Sequence, residues 1–203
     1  MGILQDNKAE RDEKAIDYTL ANSNNLLLIF TRNPELGKGK RRLAATVGDE
    51  AALHIYQFLL NHTVKITSHL YAEKLVYYSE EIWQKDIWDN SRYGKKLQQG
   101  NDLGVRMANA FKEGFQNEFQ KIIIIGSDMF DLSQKDIEQA FKALEKNDFV
   151  VGPAEDGGYY LLGMNNYMPE LFKNKVWGTD TVLKDTLTDL KDKKTAILET
   201  RND

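Results

Sequence analysis

The sequence predicts an α/β fold, a Rossmann-like and mainly parallel sheet flanked by helices. Three observations carry this. Short continuous apolar runs, "LLLIF" at 26–30 and "KIIIIG" at 121–126, read as strands buried on both faces. Between such runs lie longer segments whose apolar residues recur with helical period. The two kinds of segment alternate from Asn25 onward, which implies βαβ units.

Taken in order, the strand at 26–30 leads through a glycine-containing basic loop into "LAATV", an apolar helical stretch. A helix over 49–66 presents residues 52, 55, 56, 59 and 60 on one face. "KLVYYS" (74–79) is a strand. The segment 102–119 is a helix with Leu103, Met107, Ala110, Phe111 and Phe115 on one side, and 121–126 is the clearest buried strand. A helix follows over 133–147, with Ser133 and Asp136 spaced as a capping box. "DFVVGPA" (148–154) and "YYLLGM" (159–164) are strands broken by "EDGG"; a helix over 179–191 and a strand over 195–200 close the pattern. Residues 1–24, polar and mixed in charge, are expected to be a poorly ordered extension, and 25–203 a single domain.

Composition narrows the function. The chain has 203 residues, a net charge of −4 and no cysteine. A disulfide framework, thiolate metal sites and a cysteine nucleophile are thereby excluded. No broadly basic footprint for nucleic acid exists. No apolar run approaches the length that spans a bilayer, and no secretory leader is recognisable, so a cytoplasmic location is expected and the Asn61-x-Thr63 sequon reads as chance. Positive charge is instead concentrated in "GKGKRR" at 37–42, which suits a small anionic ligand.

In a parallel sheet, ligands bind beyond the carboxyl ends of the strands, and that rule turns positions into a candidate site. Asp128 stands just past the strand at 121–126, where a carboxylate can hold Mg²⁺ or Mn²⁺ shared with phosphate, or can cap the next segment. Asp131, just ahead of Ser133, suits a helix cap better than a metal. Lys38, Lys40, Arg41 and Arg42 follow the first strand. Cations at a helix start oppose its dipole unless an anion is bound there. The alternative is an ordinary solvated basic surface, and the loop is not a Walker A motif, since Pro34 stands where the first glycine belongs. In "QQGNDLGVRM" (98–107), Gln99 could hydrogen-bond a base or sugar and Arg106 a phosphate, or the segment is a turn with Asp102 as helix cap. Glu155 and Asp156 beside a Gly157–Gly158 pair suggest more than a tight turn. Trp177 packs in the core or stacks on a ligand, and Thr179 or Asp180 caps the helix after it. The three histidines, His54, His62 and His69, lack helical metal-ligand spacing and read as structural or surface residues.

Five segments in order, "FTRNPELGKGKRRLA", "QGNDLGVRM", "IIIIGSDMFDL", "GPAEDGGYYLLG" and "WGTDTVL", resemble the successive signatures of a glycosyltransferase-A-like family. Its members are often labelled arsenosugar-biosynthesis glycosyltransferases. The family is similar in fold to phospholactate guanylyltransferase and the molybdenum-cofactor guanylyltransferases. The resemblance implies a nucleotide-diphospho-sugar transferase fold and a divalent metal, Mg²⁺ or Mn²⁺, held by Asp128. Lys40, Arg42, Gln99 and Gly100 would surround the nucleotide, and the loop chemistry above adds Lys38 and Arg106 for its phosphates. Gly157, Gly158, Tyr159 and Trp177 would face a small-molecule acceptor, with Asp156 as base and Lys40 stabilising charge. The family commonly has Thr at Arg41 and Pro at Phe130, and it continues with a "DVD"-like motif. Here the chain stops at Asp203, the first acid of that pair and a second expected metal ligand, so the domain is expected to lack its native C-terminal tail. The activity implied is transfer from a nucleotide sugar. The alternatives are nucleotidyl transfer from a nucleoside triphosphate with release of pyrophosphate, and nucleotide binding without catalysis.

Overall fold

The structure, a computed structural model, describes residues 23–38 and 41–202. The expectations for residues 1–22, Lys40 and Asp203 lie outside the described residues. Among those described, seven strands form one sheet. They are β1 (Asn25–Thr31), β2 (Glu73–Tyr78), β3 (Gly94–Leu97), β4 (Lys121–Gly126), β5 (Phe149–Pro153), β6 (Tyr159–Met164) and β7 (Thr195–Ile197), in the order β3-β2-β1-β4-β6-β5-β7. β3, β2, β1 and β4 are mutually parallel, β6 runs antiparallel to both β4 and β5, and β5 pairs in parallel with β7. The described helices are α1 (Arg41–Val47), α2 (Asp49–Thr67), α3 (Leu103–Gln116), α4 (Gln134–Ala143) and α5 (Val182–Asp189), with a 3₁₀ turn at Pro169–Phe172. None is long and apolar enough to cross a membrane.

The isoleucine run explains the layering. Successive strand side chains point to opposite faces. Ile123 and Ile125 pack with Tyr56 and Leu60 of α2 and Ile137 and Phe141 of α4. Ile122 and Ile124 pack on the other face with Met107 and Phe111 of α3 and with Phe172. Both faces are covered, so the strand must be apolar at every position rather than at alternate ones.

Local chemistry sets the helix boundaries. Asp102 caps α3, its carboxylate accepting from Val105 N at 2.9 Å. The Ser133–Asp136 capping box opens α4 as the spacing predicts. Other boundaries differ. The last helix is shorter than 179–191, and its N-cap is Thr181, not Thr179 or Asp180. The last strand stops at Ile197, followed by an isolated bridge between Ala154 and Arg201. On α2, Ile55 is exposed, and the buried face runs through Ala52, Tyr56, Leu60 and Thr63.

β3, "GKKL", has no counterpart in the apolar pattern. It is an edge strand whose lysines are anchored by acids: Lys95 to Asp86 at 2.7 Å, and Lys96 to Glu113. Lysine on a sheet edge also discourages pairing with another chain.

Gly163 of β6 lies between Ile123 of β4 and Val150 of β5. A Cβ there would sit 2.7 Å from Val150 Cγ1 and 2.9 Å from Ile123 Cγ1. Both neighbours are β-branched and fully buried, so neither can swing aside. Gly163→Ala is expected to destabilise the fold by about 1–3 kcal/mol, read as a lower urea midpoint with an unchanged slope.

Candidate active site

The strand order reverses between β1 and β4: β1 leads outward to β2 and β3 on one side, while β4 lies on the other. Such a switch point leaves a crevice beyond the carboxyl ends of the two strands. A polar cavity of about 1190 Å³ opens there, lined by Thr31 and Arg32 after β1, Ser79 and Glu80 after β2, and Ser127 and Asp128 after β4. Gln98, Arg106, Arg42 and Asp156 also line it.

Its floor is a cluster of buried hydroxyls. Ser127 Oγ donates to Thr31 Oγ1 at 2.9 Å and lies 3.3 Å from the Tyr56 hydroxyl. That hydroxyl accepts from Arg32 N at 3.0 Å and donates to Arg32 O at 3.1 Å. Thr63, one turn further along α2 from Leu60, donates to Ser127 O at 3.0 Å. Beyond the last ladder pair the two parallel strands would leave backbone polar groups unpaired, and side-chain oxygens supply partners. The backbone carrying Asp128 is thereby fixed against β1 and α2. Half-buried Asp128 projects from that backbone into the cavity.

The opposite wall is positioned by Gln98. Its amide nitrogen donates to Tyr77 O at 2.9 Å and Thr31 O at 3.2 Å, so its oxygen is directed at Arg106 Nη1, 3.4 Å away. Arg106 Nε donates to Gly100 O at 3.0 Å. Gly100 has φ of +142°, and a Cβ there would approach Arg106 N to 2.9 Å. The neighbouring Gln99 is exposed and lies outside the cavity lining, its carbonyl accepting from Asn109.

The basic loop divides. Arg42, the second residue of α1, lines the cavity. Lys38 does not; it is exposed and pairs with Glu35 at 2.8 Å and Glu80 at 3.3 Å. The hydrogen bond to Glu35, then that to Glu80, holds its ammonium above the ordinary lysine range. Asp131 is turned away from the cleft, its carbonyl accepting from Arg201 Nη1 at 2.7 Å and its carboxylate 3.4 Å from the same nitrogen. Of the histidines, His62 bonds through Nε2 to Leu132 O at 2.8 Å.

A second, more apolar chamber of about 560 Å³ adjoins the first; Phe30, Arg42, Leu103 and Asp156 line both. Its walls include Trp177, Tyr159, Met107 and Val182. The "EDGG" turn supplies one rim. Gly157 adopts φ of +86°, and a Cβ there would fall 2.2 Å from Asp180 O, so a side chain is excluded on two counts. Asp156 Oδ1 accepts from Gly158 N at 2.9 Å. Trp177 is half-buried, and its indole packs so close to α3 that a Cβ on Gly104 would lie 2.4 Å from Nε1. Trp177 thus packs against α3 and also lines the chamber. Burial raises the Tyr159 phenol above the usual tyrosine range.

Gln98 was hidden in the sequence by the glycine beside its neighbour. β3 ends at Leu97, and knowledge of that strand would have put residue 98 at the carboxyl edge.

Residues 63–179 match the family described as "Uncharacterized protein conserved in bacteria (DUF2064)". No curated protein matches the chain. A solved structure described as a "putative nucleotide-diphospho-sugar transferase" from Desulfovibrio desulfuricans G20 is similar over 89% of this chain and 82% of its own, with a TM-score of 0.84 and 28% identity. A cytidylyltransferase from Leptospira borgpetersenii aligns over 87% of this chain and 76% of its own, with a TM-score of 0.51 and 13% identity. The 4-diphosphocytidyl-2C-methyl-D-erythritol synthase of Anaerococcus prevotii aligns over 89% and 88%, with a TM-score of 0.56 and 10% identity. The last two share the fold alone.

Tyr56→Phe removes the hydroxyl that both accepts from and donates to Arg32. It is expected to cost about 1–3 kcal/mol of stability, and hydrogen exchange at residues 127–129 should accelerate by more than exchange in β6.

Proposed function

Because the chain belongs to the DUF2064 family and has the nucleotide-diphospho-sugar transferase fold, we propose that it transfers a group from a nucleotide-activated donor, a nucleotide sugar, to a small-molecule acceptor. The observation that carries this is the convergence of Arg42, Arg106 and Asp128 on one cleft at the β1–β4 switch point. Two guanidiniums suit a diphosphate, since each offers a planar fork of donors to phosphate oxygens.

Among the described residues no group of three or more His, Asp or Glu is arranged to hold a metal ion. A cage for calcium or zinc built from the described residues alone is therefore a poor fit. Mg²⁺ and Mn²⁺ are different: Mg²⁺ is commonly held by one or two carboxylates together with substrate phosphates and water. Asp128, lining the same cavity as Arg42 and Arg106, fits that donor set as its one carboxylate. When bound, such a cation supplies positive charge to the leaving diphosphate.

In the reaction, the acceptor hydroxyl oxygen forms a bond to the transferred carbon as the carbon–oxygen bond to the donor's diphosphate breaks. The bonding pair stays on the diphosphate oxygen. The hydroxyl proton passes to the Asp156 carboxylate, whose Oδ1 is steadied by Gly158 N. Negative charge thus grows on the leaving group, and fixed guanidiniums lower the barrier because they need no reorganisation at that moment. Lys40, proposed for the same role, adjoins Arg41 and Arg42 in the chain.

Thermal unfolding with UDP, GDP and CDP, with and without Mn²⁺, tests binding. A nucleotide at a hundredfold excess over its Kd should stabilise by about 2.7 kcal/mol, and Mn²⁺ should enlarge the shift. In Asp128→Asn the Mn²⁺-dependent part should disappear while the nucleotide alone still stabilises. No response to any nucleotide would end the proposal. With a donor that turns over, Arg42→Ala should lower kcat about 10²-fold. Release of pyrophosphate from a nucleoside triphosphate, with none of the nucleoside diphosphate, would reassign the cleft to nucleotidyl transfer.

A further inference from the structure

We propose that the aromatic chamber receives an uncharged, hydroxyl-bearing acceptor with an apolar ring or chain, so that the group is transferred to an alcohol carrying no phosphate. This rests on the transferase reading and names its acceptor class.

The chamber measures about 560 Å³, within the range of pockets that enclose small organic molecules. Trp177, Tyr159, Met107, Phe30, Leu103 and Val182 give it a largely apolar surface. Among its described lining residues Arg42 is the one cation, and Arg42 also lines the polar cavity, where the donor's diphosphate would engage it. The acids Asp156 and Asp180 stand at the rim. A phosphate entering here would lose water, meet no cation but Arg42 among the described lining residues and face two carboxylates. Each of these disfavours an anion.

One polar group within the walls asks for a partner better than the one it has. The Tyr159 hydroxyl donates to Met107 Sδ at 3.8 Å. A thioether is a weak acceptor, so a ligand oxygen would replace it favourably. The walls then grip an apolar body while Tyr159 fixes one oxygen and Asp156, shared with the polar cavity, faces the oxygen that reacts. Because Asp156 lines both chambers, the point of transfer lies where they meet.

The test uses 4-nitrophenyl β-D-glucopyranoside as an uncharged probe and glucose 6-phosphate as a charged one, with saturation-transfer NMR and titration calorimetry on the full chain. The glucoside should bind with its aromatic protons saturated most strongly, and glucose 6-phosphate should neither bind the chamber nor displace it. Tyr159→Phe should weaken the glucoside about 3–10-fold, and Thr179→Trp, which adds bulk at an exposed rim position, should weaken it more than 10-fold. In both variants the nucleotide-induced thermal shift should be retained, which also shows that they fold. Tighter binding of glucose 6-phosphate than of the glucoside, or glucoside affinity indifferent to both substitutions, would overturn the acceptor assignment while leaving the transferase reading intact. Loss of nucleotide response in the parent chain would overturn the transferase reading instead, whatever the glucoside does.

Discussion

The hydroxyl cluster beneath the switch point is the constraint on which the cleft depends. Thr31, Tyr56, Thr63 and Ser127 come from β1, α2 and the loop after β4, and they meet where the parallel ladder runs out. Buried polar groups in a low-dielectric setting must be satisfied or they cost free energy. Here each hydroxyl satisfies backbone or another hydroxyl, so three elements lock together at their ends. A dry apolar contact would hold them as tightly but would not fix the direction of the Ser127–Asp128 backbone. Hydrogen bonds are directional, and a site that places a carboxylate needs that property.

Much of this was legible in the sequence, for identifiable reasons. The strands β1 and β4 announce themselves because burial on both faces forces continuous apolar runs. Asp128 could be assigned to the carboxyl edge because it follows one of those runs directly. The Ser133–Asp136 box was readable because capping is local chemistry. Asp102 likewise caps α3 beside the glycines that suggested a ligand loop.

What stayed hidden depended on contacts between distant segments. β3 lacks an apolar signature because it is an edge whose lysines find Asp86 and Glu113 elsewhere in the chain. Without β3, Gln98 could not be told from Gln99. Nor could the basic run be divided: Lys38 is drawn to Glu35 and Glu80, while Arg42 is carried into the cleft by the first turn of α1. Charge density in a sequence reports how many cations are near one another, not which of them a fold turns toward a ligand.

The close approach of Gly157 to Asp180 has a consequence for how this protein can diversify. The hairpin turn and the segment leading into α5 touch through backbone, with Leu183 N also donating to Gly157 O at 2.9 Å. Two walls fused in this way leave little tolerance for inserted residues in either loop, although surface loops ordinarily accept them. Changes in the shape of the chamber are then confined to side chains such as Trp177 or Val182 on an unchanged main-chain frame, so divergence here should be visible as point replacements at constant loop length.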